Sequence, residues 1–99
     1  GTTAYPTSIG QASMFDVGLV EEICRQTALE MRATGSQWTF NPNVEVARDP
    51  RWGRVGETFG EDPYLVSLLG VASVRRETGL ERRKMCWLVP SILLEAANR

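Results

Sequence analysis

Apolar residues in the first half of the chain recur every three or four positions, which predicts an amphipathic helix. The series consists of Leu19, Val20, Ile23, Cys24, Thr27, Ala28 and Met31. Asp16 precedes the series as a predicted N-cap, and Gly35 follows it as a residue suited to end the helix. Residues 1–15 lack this period and contain the pair Tyr5-Pro6, so we expect an extended or looped N-terminal segment there.

After Gly35 the helical period gives way to an alternation of apolar and polar residues. The alternating apolar residues are Trp38, Phe40, Val44 and Val46. They predict a short strand that is interrupted by Pro42. A second helix is predicted from Asp62, as N-cap, and Pro63, at the first helical position, to about Arg75. Its apolar face is predicted to consist of Tyr64, Leu65, Leu68, Leu69 and Ala72, with Val71 as a further candidate. Helix and strand joined by a short connection are typical of an α/β protein.

Composition and charge exclude several classes of function. The chain has 99 residues, a formal net charge of −1 and no His. The near-neutral net charge argues against a protein that binds nucleic acid or a membrane surface, since such proteins usually carry an excess of basic residues. The lack of His excludes His-based catalytic triads and His-containing metal sites. Cys24 and Cys86 lie far apart without a CxxC spacing, so we expect thiols and predict no metal and no cofactor.

The two ends of the chain carry weaker signals. The apolar segment MCWLVPSILL is too short to span a membrane and contains a proline. No signal peptide is visible, and the N-terminus has neither Met nor a basic-then-apolar run. These features predict that the sequence is a piece of a longer protein.

Residues 46–65, VARDPRWGRVGETFGEDPYL, form a charged segment without a helical or strand period. It holds three arginines and four carboxylates. One interpretation is a set of ion pairs that pins a loop, each exposed pair being worth about 0–1 kcal/mol. The other is a site for a polar ligand, because long ordered loops are commonly functional and arginine offers a fork of donors. The spacing alone leaves sugar and phosphate open, although an Asp and a Pro at the following helix start disfavour phosphate.

The segment NPNVEVARDPRWGRVGETFGEDPYL resembles the signature of family-3 glycoside hydrolases, the β-glucosidase and β-xylosidase family. The upstream segment AYPTSIGQASMFDVGLVEEICRQTALEMRATG is similar to the preceding part of the same family. Together the resemblance covers about residues 2–75. It implies part of an N-terminal (β/α)8 barrel of the TIM type, and since such barrels need roughly 250 residues, about two strand–helix units are expected here. We therefore divide the chain into residues 1–75, a fragment of that domain, and a divergent tail, residues 76–99.

The resemblance also implies roles for five residues of the charged segment. Arg54 corresponds to the family's arginine that contacts hydroxyls of the sugar, and Glu57 is expected to hold that arginine in place. Asp49 and Arg51 are expected to pin the loop, and Trp52 is expected to pack beneath it. The same pinning and capping role is expected for Arg48, Glu61 and Asp62.

The resemblance does not supply a catalytic residue. Retaining glycosidases need two carboxyl groups about 5–5.5 Å apart, and in this family both lie downstream of the segment present here. A sugar-binding Lys-His pair is also missing: the neighbourhood of Lys84 does not match, and the chain has no His. No residue of this chain is therefore predicted to be catalytic.

Three hypotheses follow from these observations. In the first hypothesis, the chain is part of a retaining β-glycosidase that acts on β-glucosides or β-xylosides. The full-length relative is then expected outside the cytoplasm, in the periplasm or secreted. The second is an inactive remnant that associates with other chains through exposed barrel faces. The third, an anion-binding module, is disfavoured because carboxylates interleave with the arginines.

Overall fold

The computed structural model describes residues 1–75 and the backbone of residues 76–78 and 87–88, and helices predominate among them. The helices are α1, Ser8–Ala12, α2, Val17–Ala33, and α3, Pro63–Thr78. The strands are β1, Trp38–Thr39, and β2, Trp87–Leu88. The two strands pair in parallel, with Trp38 opposite Trp87 and Thr39 opposite Leu88. The described residues therefore combine α and β elements, with a sheet of only two short strands.

The second helix has the boundaries that the sequence predicts. The Asp16 side chain accepts a hydrogen bond from the backbone N–H of Leu19 at 3.0 Å, which caps the N-terminus of α2. At the other end Gly35 adopts a φ of 91°, and the N–H of Ser36 donates to the carbonyl of Met31 at 2.9 Å. A left-handed glycine with this bond is the usual way to satisfy the last carbonyls of a helix. The predictions for Asp16 and Gly35 are thus confirmed.

The third helix begins at Pro63 as predicted, but its buried face differs from the prediction. Asp62 accepts from the N–H of Tyr64 at 3.1 Å. Tyr64 and Leu68, both expected on the apolar face, are exposed. The buried face consists of Val66, Leu69, Gly70, Ala72 and Ser73. It is set by Gly70, which lets the helix backbone approach Val44: a Cβ at residue 70 would lie 2.7 Å from Val44 Cγ1.

The core lies between the three helices and the end of the charged segment. Its buried residues are Ala12, Val20, Cys24, Phe59, Val66 and Leu69. Phe59 comes from the charged segment and is 3% exposed. Burial of a Phe side chain contributes roughly 1.5–3 kcal/mol. Phe59 therefore anchors the charged segment to the helices.

Among the first 46 residues, one prediction is wrong and another is confirmed only in part. Residues Ser8–Ala12 form helix α1 within the segment that was expected to be extended or looped. The helix is stabilised by burial of Ala12 and by a hydrogen bond of 2.9 Å from the N–H of Gln11 to the carbonyl of Thr7. The predicted strand is reduced to β1. Its buried residue is the polar Thr39, whereas the rings of Trp38 and Phe40 are exposed and stack on each other at 5.4 Å.

Two further features bear on the sequence predictions. No helix among the described residues is long and apolar enough to cross a lipid bilayer. Cys24 is buried as a thiol, while Cys86 and most of the predicted tail lie outside the described residues. The interpretation of residues 76–99 as a separate tail stays a prediction.

Candidate functional site

The charged segment forms a loop that is closed at its base. We call residues 47–60 the arginine loop. The N–H of Ala47 donates to the carbonyl of Gly60 at 3.0 Å and joins its two ends. Between them lie two short 3-10 turns, Pro50–Trp52 and Val55–Glu57, separated by Gly53 in the left-handed conformation with a φ of 84°. Helix α1 contacts the second turn. The loop is thus ordered although it lacks a longer helix or strand.

The first turn is held by an ion pair between Asp49 and Arg51. Asp49 Oδ1 accepts from the backbone N–H of Arg51 at 2.9 Å, and Arg51 Nη2 lies 2.7 Å from Asp49 Oδ2. The side-chain hydrogen bond from Arg51 lowers the pKa of Asp49. The Arg51 side chain is 89% exposed, so water screens the pair and its contribution to stability is small. This pair fits the predicted loop-pinning role.

The second turn carries the ion pair between Arg54 and Glu57. Arg54 Nε donates to Glu57 Oε2 at 2.9 Å, and Nη2 reaches Oε1 at 3.4 Å. The backbone of the pair is also joined, since the N–H of Glu57 donates to the carbonyl of Arg54 at 3.1 Å. The side-chain hydrogen bond from Arg54 lowers the pKa of Glu57. The Arg54 side chain is 48% exposed, so about half of its surface faces solvent while Glu57 holds the guanidinium.

Trp52 contacts the same guanidinium from another side. The Cζ atom of Arg54 lies over the Trp52 ring, 5.8 Å from its centroid. This distance is within the range of a cation–π contact, which is worth about 0.5–1 kcal/mol at an exposed site. Trp52 is only partly buried. The structure thus brings together Trp52, Arg54 and Glu57, and it places Asp49 and Arg51 in the preceding turn.

The remaining charged residues do not extend these pairs into one network. Arg48 is exposed and takes part in no ion pair with the side chains of residues 1–75. Glu61 is exposed, and Asp62 caps the first turn of α3 through the N–H of Tyr64. The loop's ion pairs within the described residues are Asp49–Arg51 and Arg54–Glu57. The pinning role expected for Arg48 stays a prediction.

The carboxylates of the loop are poorly suited to act as a catalytic acid. A general acid that works near neutral pH needs a raised carboxyl pKa. The pKa values of Asp49 and Glu57 are both lowered by an arginine. The residues that the structure describes also contain no group of three or more Cys, Asp or Glu side chains that could hold a metal ion. The chemistry that this arrangement offers is hydrogen-bond donation from a positioned guanidinium.

Sequence reasoning missed one buried polar residue of the loop. Thr58 is fully buried, and its hydroxyl donates to the carbonyl of Val55 at 2.8 Å and accepts from the N–H of Gly60 at 3.2 Å. A threonine two residues before a glycine is a known turn signal. That signal could have identified Thr58 as the residue that ends the second turn.

Comparison with known proteins yields relatives of a single kind. Residues 1–87 match the family model described as the glycosyl hydrolase family 3 N terminal domain. The chain is 47% identical over 74 residues to a beta-xylosidase of Formosa agariphila, which covers 74% of this chain and 10% of the relative. It is 44% identical over 77 residues to a periplasmic beta-glucosidase of Salmonella typhimurium, covering 78% of this chain and 10% of the relative.

Solved structures agree with these relatives. A beta-glucosidase involved in saponin metabolism from intestinal bacteria superposes with a TM-score of 0.82 at 39% identity, over 89% of this chain and 12% of that one. A beta-glucosidase from Listeria innocua superposes with a TM-score of 0.80 at 37% identity, over 88% of this chain and 13% of that one. The chain thus spans about a tenth of the length of the curated relatives it matches. It belongs to glycosyl hydrolase family 3 and corresponds to part of that family's N-terminal domain.

Proposed function

We propose that the chain is part of a retaining β-glycoside hydrolase acting on β-glucosides or β-xylosides, and that Arg54 binds hydroxyl groups of the sugar. The observation that carries this proposal is the position of the Arg54 guanidinium. Glu57 holds it at 2.9 Å, Trp52 lies 5.8 Å away, and the side chain remains about half exposed. A hydrogen bond from a charged donor is worth about 1.5–3 kcal/mol, which suits recognition of vicinal hydroxyls.

In this proposal the catalytic carboxyl pair lies outside these 99 residues. The lowered pKa values of Asp49 and Glu57 support a structural role for both carboxylates. A retaining glycosidase also needs one carboxylate as nucleophile, and a carboxylate that shares its oxygens with a guanidinium is a weaker nucleophile. Glu57 is assigned to holding Arg54, and Asp49 to holding the first turn.

The proposed architecture is a part of a (β/α)8 barrel, formed by residues 1–75 and followed by a tail, residues 76–99. Parallel pairing of β1 with β2 and the similarity to beta-glucosidase structures support it. The relatives include a periplasmic and a lysosomal beta-glucosidase. We propose that the longer protein likewise works outside the cytoplasm.

Sugar binding by the chain tests the role of Arg54. Methyl β-glucoside and methyl β-xyloside would be titrated while amide and guanidinium NMR signals are recorded. Arg54→Ala is expected to abolish the shifts. Arg25→Ala is the matched control, since Arg25 forms an exposed pair with Glu22 at the same spacing, with an Nη2–Oε1 distance of 2.8 Å, on helix α2. Equal binding by wild type and Arg54→Ala would refute the proposal.

Hydrolysis is a second, separate test. A chromogenic aryl β-glucoside and β-xyloside would be incubated with the chain, with the Salmonella relative as the positive control. We expect no turnover above the uncatalysed rate from the chain alone. Turnover that is lost in Asp49→Asn or Glu57→Gln would show that a loop carboxylate does chemistry, and the structural assignment would be wrong.

A structural role in association is the second candidate function. It is favoured by large apolar side chains that are exposed on two elements: Trp38 and Phe40 at β1, and Tyr64 and Val71 on α3. Contiguous exposed apolar surface marks interaction sites. Sedimentation velocity over a range of concentrations measures this association. A monomer at all concentrations, unchanged by Phe40→Ser, would count against it.

A further inference from the structure

Thr58 differs from its neighbours in the arginine loop because it is completely buried. Its hydroxyl acts as both donor and acceptor, donating to the carbonyl of Val55 at 2.8 Å and accepting from the N–H of Gly60 at 3.2 Å. The backbone N–H of Thr58 donates to the same Val55 carbonyl at 3.1 Å. Two donors on one carbonyl fix the C-terminal end of the turn that carries Arg54 and Glu57.

The contacts of Thr58 connect this turn to the body of the protein. Its backbone forms a parallel bridge with Asn43. Gly60, which donates to the Thr58 hydroxyl, accepts from the N–H of Ala47 at the base of the loop. The next residue, Phe59, lies in the core. The exposed ion pair of the second turn thus lies next to a buried polar residue that is joined to Asn43, to Gly60 and, through Phe59, to the core.

We propose that the Thr58 hydroxyl is a positioning group for the Arg54 guanidinium. The hydroxyl fixes the turn, the turn fixes the side chain of Glu57, and Glu57 holds Arg54 at 2.9 Å. The sugar-binding consequence rests on the proposed function of Arg54, whereas the geometric part does not. Loss of the hydroxyl removes one donor from the Val55 carbonyl and leaves the N–H of Gly60 without its acceptor. The end of the turn then loosens, and the Glu57–Arg54 pair opens.

The test compares Thr58→Val, which keeps the shape of the side chain without its hydroxyl, with Thr58→Ser, which keeps the hydroxyl. The readout is the pKa of Glu57, measured by NMR titration of its carboxyl carbon. Asp49 provides an internal control, because it pairs with a different arginine in the same loop. Ser73→Ala is the matched control variant, since Ser73 is also buried and its hydroxyl bonds the carbonyl of Leu69 at 2.9 Å.

Thr58→Val is expected to raise the Glu57 pKa toward its ordinary value of about 4.3 and to leave that of Asp49 unchanged. Thr58→Ser is expected to keep the low Glu57 pKa, and Ser73→Ala to change neither value. If Thr58→Val does not fold, Thr58→Ala replaces it. The proposal is overturned if the hydroxyl-free variant keeps the low Glu57 pKa, or if Ser73→Ala raises it equally.

A titration with methyl β-glucoside separates this proposal from the function of Arg54. If both hold, Thr58→Val weakens binding several-fold and Thr58→Ser restores it. If Glu57 responds as expected but Arg54→Ala binds sugar as wild type does, Thr58 still positions the pair and the sugar-binding role of Arg54 fails. If Arg54→Ala abolishes binding while Thr58→Val leaves both binding and the Glu57 pKa unchanged, only the role of Thr58 fails.

Discussion

Replacement of Gly70 by alanine tests how helix α3 packs on the chain beneath it. Gly70 is a buried glycine in the interior of a helix, where glycine costs about 1 kcal/mol relative to alanine. A Cβ at this position would lie 2.7 Å from Val44 Cγ1 and 3.7 Å from Val44 Cβ. The missing side chain therefore allows the helix backbone to approach Val44. We expect the clash of an added Cβ with Val44 to cost more free energy than alanine gains in helix propensity.

The expected effect follows from two opposing terms. Alanine gains up to about 1 kcal/mol in helix propensity. Overpacking against Val44 costs typically about 1–3 kcal/mol, depending on how far the valine can move. Gly18→Ala in helix α2 is the matched control, because a Cβ there meets only Asp16 Oδ1, at an ordinary 3.5 Å. Gly70→Ala is thus expected to be about 1–3 kcal/mol less stable than Gly18→Ala.

Urea unfolding followed by far-UV circular dichroism measures these differences. Val44→Ala removes the methyl group that the new Cβ would meet, so it should relieve the penalty of Gly70→Ala when the two changes are combined. A double-mutant cycle isolates this coupling. The reasoning is refuted if Gly70→Ala is as stable as Gly18→Ala, or if its penalty persists unchanged in the Val44→Ala background.

Three further predictions concern local structure. Asp49 and Glu57 have pKa values lowered by the arginine beside each. The stability that their pairs contribute is therefore present above about pH 4 and is lost as the pH falls through the lowered pKa values. Carboxyl NMR titration and unfolding at several pH values measure this, and ordinary pKa values for both groups would contradict it. Asp16→Ala removes the cap of α2 and should cost about 0.5–2 kcal/mol in thermal unfolding, whereas Thr7→Ala should cost less, since the Thr7 side chain makes no capping bond. Gly53→Ala forces a side chain into the left-handed conformation and should cost roughly 1–2 kcal/mol in urea unfolding, without altering the helical spectrum.

The two long helices could be predicted because their signals are local. Asp16 and Gly35 lie next to the residues they cap, and Pro63 marks its own helix start. The exposed face of α3 could not be predicted, because it depends on Gly70 meeting Val44, far away in the sequence. Periodicity counts apolar residues, but it does not show which side of a helix a neighbouring segment covers.

In the strand and the loop, likewise, some features could be predicted from the sequence and others could not. The alternation around Trp38 is present in the structure, but the buried residue is Thr39, because the face that other segments cover is set by packing and not by local polarity. In the loop, the contact between Arg54 and Glu57 spans one turn, and it was expected from the family resemblance and not from spacing alone. The role of Thr58 depends on a bridge to Asn43, and such long-range pairing has no signature in spacing.

The hydrogen bond between Ala47 and Gly60 has a consequence for engineering. Because the ends of the arginine loop already meet, the segment leaves and rejoins the rest of the chain at neighbouring backbone positions. A scaffold that receives it must supply the same separation, a cover for Phe59 and a backbone partner for Thr58. Both of its ion pairs form within the segment and would travel with it.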